Sequence, residues 1–559
     1  MRFVLTITVT TFIVGGCAPA WKSSPHDALY QKVDERTIEM PQERRLVSDW
    51  WEAGLYTGVR PLGQALSPGT YVDRVAGRRS ALDVNAFEEV LESSWFEARI
   101  ARGGWTPARV YRGGVVNPGP ADGLLTVISG KNEGATPGFV VRDQSGVVWF
   151  VKFDPPGFPG LATGAELVAS RALYAAGYFV PETHLVELDL RRIDLAASAM
   201  TRDKYNRAVP LDEKRLREFF ILLNPDRTGR VRAVFSRRIE GEHLGPFLFR
   251  GVDETDPNDQ IPHERRRSLR ALWVLFAWLN NTDTKSSNTL DTFIRTTSDD
   301  AEEPRGFVRH YLLDLGDSLG AAGNRAKYRH EGYEPYFDWA ESGKRLLALG
   351  LRYPYWLGLT PMRSRTLGPF EAEVFDPERW SPQFPNPAFE EVTADDTFWG
   401  AAILARFTRE HVGALVDAAD FDDPWVRNTT VNVLMARRRK LLAYAFEGYT
   451  ALDRPTTSGT MLRFVDLETL SGLSENEPLR FEVRWNRTLR RDVLLDEGEA
   501  ENSQIELSEA LRLARERSGF SDEPFLTVSV VRTDRGKTLF HLRDLGDRLL
   551  PVALERSRR

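Results

Sequence analysis

The alternation of apolar and polar positions is most regular between residues 124 and 176. Three short apolar runs, 124–128, 139–142 and 147–153, are each bounded by segments containing Gly, Asp or Ser. Runs of that length with such borders predict strands. The first loop carries Gly130, Gly134 and Gly138, and the second, Asp143-Gln144-Ser145-Gly146, reads as a turn. Over 162–176 the period lengthens to that of a helix, with Leu167, Leu173 and Tyr174 on one face and Gly177 suited to its C-terminus. The predicted order is strand, Gly-rich loop, strand, turn, strand, helix.

Further on, a helix is predicted from Pro262, because Leu269, Leu272, Trp273, Phe276 and Leu279 recur at helical spacing. That stripe reads as core. Two strand-like runs follow Asn288, at 289–295 and 307–313, around an acidic loop at 299–303, and a helical region rich in Trp and Arg extends to about 450. Thr456-Thr457-Ser458-Gly459 reads as a linker, and the last hundred residues as short strands with one helix near 507–517. Ahead of the patterned region, Trp50, Trp51, Trp95 and Trp105 sit among Gly and Arg, with a short helix expected at 85–91. Such aromatics read as surfaces that pack on a neighbouring domain. The expected division is therefore an extension at 46–120, a main domain at 121–450 and a small α+β or β-rich domain at 460–559.

Composition narrows the classes. A chain of 559 residues is too long for one ordinary core, and 42% hydrophobic with 28% charged residues is a globular balance. The net charge of −6 speaks against a protein held to nucleic acid by phosphate neutralisation. With one Cys there is no intrachain disulfide and no multi-cysteine metal site. That Cys follows Arg2, a short apolar run to Val14, and Gly15-Gly16, and the run is too short to span a bilayer. The pattern Val14-Gly15-Gly16-Cys17 resembles the bacterial lipobox. The resemblance implies a signal peptide at 1–16, acyl chains on Cys17 and anchorage in the cell envelope, and the polar stretch with Pro19, Ser23, Ser24 and Pro25 reads as a tether over 17–45. Ala18, rather than Asp, implies the outer membrane, facing the periplasm.

Four features then fall in a meaningful order: Lys152 on the third strand, Glu166 on the following helix, Asp283-Thr284-Lys285-Ser286-Ser287-Asn288 after the long apolar helix, and Asp314-Leu315-Gly316 after the last strand. Phosphoryl transfer needs a cation on the nucleotide phosphates, an acid to hold it, a carboxylate near the acceptor hydroxyl, and oxygen ligands for magnesium. The arrangement resembles the protein-kinase-like superfamily, nearer to divergent members such as HipA-type and phosphoinositide-type kinases. The implied fold is bilobal, with a small antiparallel-sheet N-lobe and a mainly helical C-lobe. The resemblance further implies Gly130, Gly134 and Gly138 over the phosphates, Lys152 paired with Glu166, Asp283 as catalytic aspartate and Lys285 near the transferred phosphate. Asn288 and Asp314 would be the ligands of Mg, and ATP the donor. Asn281 and Thr282 stand where ordinary kinases carry His-Arg, Leu315 replaces the Phe of their Asp-Phe-Gly, and no Ala-Pro-Glu follows.

Other constellations are weaker. His263-Glu264 lacks the second His of a zincin, and Ser129-Gly130-Lys131 lacks the P-loop ending. The acidic stretch 253–259 lacks EF-hand spacing and reads as an exposed loop, and His310 reads as a buried, hydrogen-bonded histidine. Two functions stand side by side. One is a phosphotransferase acting on an unidentified protein or small-molecule acceptor. The other is a catalytically silent envelope lipoprotein that binds a partner, favoured by export to a compartment poor in ATP.

Overall fold

The computed structural model describes residues 36–41, 45, 47–55, 80–130, 136–203, 205, 207–297, 304–335, 339–348, 351, 354–358, 363–474, 477–486, 492–500, 502–517 and 525–559. The signal peptide, Cys17, Gly134 and the acidic loop at 299–303 lie outside the described residues.

The expected strands occur at Leu125–Gly130, Gly138–Arg142 and Val148–Phe153, and the helix at Leu161–Ala176. Asp143 builds the turn between the second and third strands: its Oδ1 accepts from the Ser145 and Val147 amides at 2.9 and 3.0 Å, and its Oδ2 from Trp149 Nε1 at 2.8 Å. The sheet is larger than the small antiparallel one expected. It has seven strands, ordered Thr183–Asp189, Arg230–Arg237, Val148–Phe153, Gly138–Arg142, Leu125–Gly130, Ile193–Arg202 and Ala208–Pro210. Leu125–Gly130 and Ile193–Arg202 run parallel, and Ala208–Pro210 forms the edge beyond them.

Along Val148–Phe153, Trp149, Val151 and Phe153 are buried against Phe139, Phe235 and the Phe219, Phe220 and Leu223 side chains of the helix Glu213–Leu223. Period two then puts Lys152 on the opposite face, toward the Leu161–Ala176 helix. That helix is buried on nearly all sides, in a core shared with Trp95, Phe96, the helix Leu272–Leu279 and the helices Ala394–Leu404, Arg409–Asp417 and Pro424–Phe446. The molecule is thus a mixed α/β structure, a sheet-rich part followed by a mainly helical one. A second sheet, Glu242–Gly245 beside Thr289–Arg295 and Arg305–Leu312, leads into the site.

Several expectations are corrected. The single helix from Pro262 is three pieces, His263–Arg265, Arg267–Arg270 and Leu272–Leu279: Arg266 is extended at φ −88°, ψ 122°, and Ala271, at φ −71°, ψ −12°, separates the other two. No helix forms at 85–91: Asn85 Oδ1 accepts from the Phe87 and Glu89 amides at 2.9 and 3.1 Å, and Glu88 adopts φ 58°. A local side-chain acceptor has out-competed the helix there. The stretch 253–259 is only partly exposed: Glu254, Thr255 and Pro257 face out, but Asp253, Asp256 and Asp259 are buried and Asp259 holds His263 Nε2 at 2.7 Å and Arg266 at 2.9 Å. The supposed linker is a hairpin, Leu452–Ser458 with Met461–Asp466, turned at Gly459 with φ 61°. The described part of the supposed tether is docked, with Ile38–Glu39 paired to Gly306 and Arg305. His310 is buried and bonded to Asp291 at 2.6 Å, as expected. The C-terminal segment carries a five-stranded antiparallel sheet and the helix Ser508–Arg517 over its own core.

Candidate functional site

Lys152 lies between two carboxylates from distant parts of the chain. Its Nζ is 2.8 Å from Glu166 Oε2 and 2.8 Å from Asp314 Oδ1. Burial by itself would push the ammonium pKa down, but Asp314 and Glu166 more than offset it, so the pKa is raised and the lysine stays charged. Glu166 is placed by the anchoring of its helix. Asp154 accepts from the backbone amides of Gly160, Ala162 and Thr163 at 2.7, 2.9 and 2.9 Å, satisfying the orphan donors of the first turn. Asp314 follows the strand Arg305–Leu312 in the left-handed region at φ 49°, a conformation that a non-glycine residue holds only when its surroundings impose it. Gly316 passes so close to the glutamate that a Cβ there would lie 3.1 Å from Glu166 Oε2.

The segment 283–288 lies directly against the strand end that presents Asp314. Leu313 N donates to Asn288 O at 2.8 Å, and Asn288 Nδ2 donates to Asp283 O at 3.0 Å. Lys285 Nζ sits 3.1 Å from Asp283 Oδ2, while Asp283 Oδ1 is buried with no hydrogen-bond partner. Asn281 Oδ1 is likewise buried and unpartnered, and both residues line a void of about 10 Å³ with Phe276, Asn288 and Leu315. Burial pushes the Asp283 carboxyl up to about 6; Lys285 pulls it back, and the negative charges of Asp317 and Asp314 add to the rise. Two other cavities, of about 390 and 300 Å³, are elsewhere, beside Ser508 and Arg512 and beside Trp273 and Trp380.

Residues that sequence reasoning did not select complete the frame. Lys327 Nζ donates to Thr282 Oγ1 at 2.6 Å and pairs with Asp317, which also accepts from Thr282 Oγ1 at 3.1 Å. Asn281 Nδ2 donates to Ser318 Oγ at 3.1 Å, Asn280 Nδ2 to Leu319 O at 3.1 Å, and Trp380 Nε1 to Asn280 Oδ1 at 3.1 Å. The segments 280–288 and 314–319 are therefore laced together side by side.

The structure brings together Lys152, Glu166 and Asp314, and, separately, Asp283, Lys285 and Asn288 on the neighbouring segment. Of the three glycines, Gly134 lies outside the described residues, and Gly130 pairs with Phe139, next to Gly138, at the base of one hairpin. Gly130 ends its strand against Thr201, and Gly138 opens the next strand in register with Lys152. Among the described residues, no three His, Cys, Asp or Glu side chains gather into a metal cage. The oxygen donors that fit a hard divalent cation are Asp314 and Asn288, joined through the Leu313–Asn288 backbone bond, with Asp283 Oδ1 left unsatisfied nearby.

No family model and no curated protein matches the chain. Solved structures similar to it include the crystal structure of the Golgi casein kinase, at 9% identity and a TM-score of 0.27 over 62% of this chain and 76% of that one. The Golgi casein kinase with Mn/ADP bound matches at 10% identity and a TM-score of 0.25 over 74% of this chain and 94% of that one. These are distant resemblances to a protein-kinase-like fold. They do not single out the HipA-type or phosphoinositide-kinase branch.

Proposed function

We propose that the chain is a kinase-like phosphotransferase that takes a nucleoside triphosphate with Mg and transfers a phosphoryl group to a hydroxyl acceptor. The observation that carries the reading is the Lys152 ammonium held 2.8 Å from both Glu166 and Asp314, beside the Asp283 segment. In this reading Lys152 contacts the donor phosphates and Glu166 keeps its ammonium aimed. Asp314 and Asn288 would hold Mg, which would supply charge neutralisation on the phosphates. Asp283 orients the acceptor hydroxyl and takes up its proton, and Lys285 neutralises charge beside it. With a pKa near 6, Asp283 is mainly ionised at pH 7, yet basic enough to accept a proton. Catalysis is then mostly positioning and charge stabilisation. We further propose that Cys17 carries a lipid anchor that holds the domain on the envelope.

A thermal-shift titration with ATP and Mg, against Asp314→Asn, tests the reading. Ligand at a hundred times its Kd adds about 2.7 kcal/mol of apparent stability. A Mg-dependent shift present in the parent and absent in the variant is expected. A folded parent with no shift for any nucleotide would favour the second reading, a silent binding module.

A further inference from the structure

Residues 49–54 form a single helical turn and a half, far ahead of the patterned domain in sequence, yet this element reaches the site. From the helix Asp49–Gly54, Glu52 is buried with its carboxylate on Ser286, 234 residues away. Glu52 Oε2 accepts from the Ser286 backbone amide at 3.1 Å, and Oε1 accepts from Ser286 Oγ at 2.5 Å. Ser286 is itself fully buried and opens the 3₁₀ turn Ser286–Asn288. No side chain of the turn's own flank caps it, since Lys285 stands at that position with an extended backbone. Glu52 therefore performs from outside the work of an N-cap: it satisfies the first exposed donor of the turn and fixes the hydroxyl beside it. At the other end of the turn, Thr289 Oγ1 donates to Ser286 O at 2.7 Å, and Asn288 O accepts from Leu313 N. The turn that carries Asn288, with Lys285 just before it, is thus held at one end by the extension and at the other by the strand leading to Asp314.

We infer that Glu52 is a positioning residue for the proposed phosphotransferase site, setting the Lys285–Asn288 turn through Ser286, so that the N-terminal extension is part of the active unit and not a spacer. The inference rests on the function proposed above. A carboxylate is the right group for the task, because it accepts from two donors of one residue at once, and a hydrogen bond to a charged acceptor is about twice as strong as a neutral one. Removing it leaves the Ser286 amide and hydroxyl buried without partners, and the turn must open to rehydrate them.

The test uses the full chain with Glu52→Ala, Glu52→Gln and Ser286→Ala. Amide hydrogen exchange across 283–289 reads the brace without any ligand. The Mg concentration giving half the ATP-induced thermal shift reads its consequence for the site. Glu52→Ala is expected to speed exchange at Ser286 and Asn288 by tenfold or more and to raise the Mg requirement severalfold. Glu52→Gln, which keeps one acceptor, and Ser286→Ala, which removes only the hydroxyl, should fall between, and they keep the test alive if Glu52→Ala fails to fold. Unchanged exchange overturns the brace. Faster exchange with an unchanged Mg requirement leaves Glu52 a structural contact and overturns the positioning role. If the parent itself shows no Mg-dependent ATP response, the proposed function fails and the positioning role with it, while the exchange data still decide whether the brace exists.

Discussion

Asp283→Asn separates a catalytic carboxylate from a structural one by moving stability and activity in opposite directions. Its carboxyl is raised from 3.8 to about 6, chiefly by burial, and its side chain is only 19% exposed. An acid whose folded-state pKa is raised holds more protons folded than unfolded between about pH 4 and 6. Stability therefore falls as pH rises through that window, and the whole penalty is present above it. Two pH units at 1.36 kcal/mol each make that penalty about 3 kcal/mol at pH 7. Asparagine keeps the shape and carries no charge to desolvate. Relative to the parent, the variant should thus gain stability progressively between pH 4 and 7, by up to about 3 kcal/mol, which at about 2–4 °C per kcal/mol is several degrees in Tm. Phosphoryl transfer should meanwhile fall by about 10²- to 10⁴-fold, the usual range for a general acid–base group. Paired melting curves at pH 4, 5, 6 and 7, with a transfer assay at pH 7, decide it. A Tm difference that stays flat across that range refutes the burial argument, and undiminished transfer refutes the role.

Lys152→Ala leaves Glu166 and Asp314 facing one another without their cation and should cost about 3–5 kcal/mol, with part recovered by adding Glu166→Gln; thermal melts of the two variants check both. Gly320→Ala would set a Cβ 2.1 Å from Leu367 O, a backbone atom that cannot swing aside, and should destabilise by about 1–3 kcal/mol or more in the same assay. Glu89, buried against Trp399 Nε1 at 2.9 Å, is raised to about 7 by burial first and by Asp453 second. Its contribution to stability falls as pH rises from about 5 through 7, so Glu89→Gln should stabilise more at pH 8 than at pH 5 in melts at the two values. Cys17→Ser should move the protein from the membrane fraction to the soluble one on fractionation of cells producing it.

The local pattern carried the lysine strand and the glutamate helix almost to the residue, because both are written in side chains a few positions apart. Alternation of Trp149, Val151 and Phe153 dictates that Lys152 faces the other way, and an apolar helix after a Pro- and Gly-rich loop needs only short-range preferences to form. The order Lys152, Glu166, Asp283, Asn288, Asp314 stood out only through its resemblance to the kinase-like pattern. Sequence alone could not show that the helix from Pro262 breaks at Arg266, nor that Asp253, Asp256 and Asp259 are buried, since both depend on distant partners such as Trp95, whose ring carries the Arg266 guanidinium at 4.7 Å.

What the sequence by itself determined is which local element bears each candidate residue. Only the tertiary structure decided that Lys152 touches Glu166 and Asp314 at once, that Thr282, Asp317 and Lys327 lock two segments together, and that Glu52 reaches Ser286. Hydrophobic periodicity is a property of neighbours along the chain, and it directs a side chain toward or away from a core. A polar contact between residues hundreds of positions apart leaves no periodic trace. It is settled by how cores pack, and by the cost of leaving a buried donor or carboxylate without a partner.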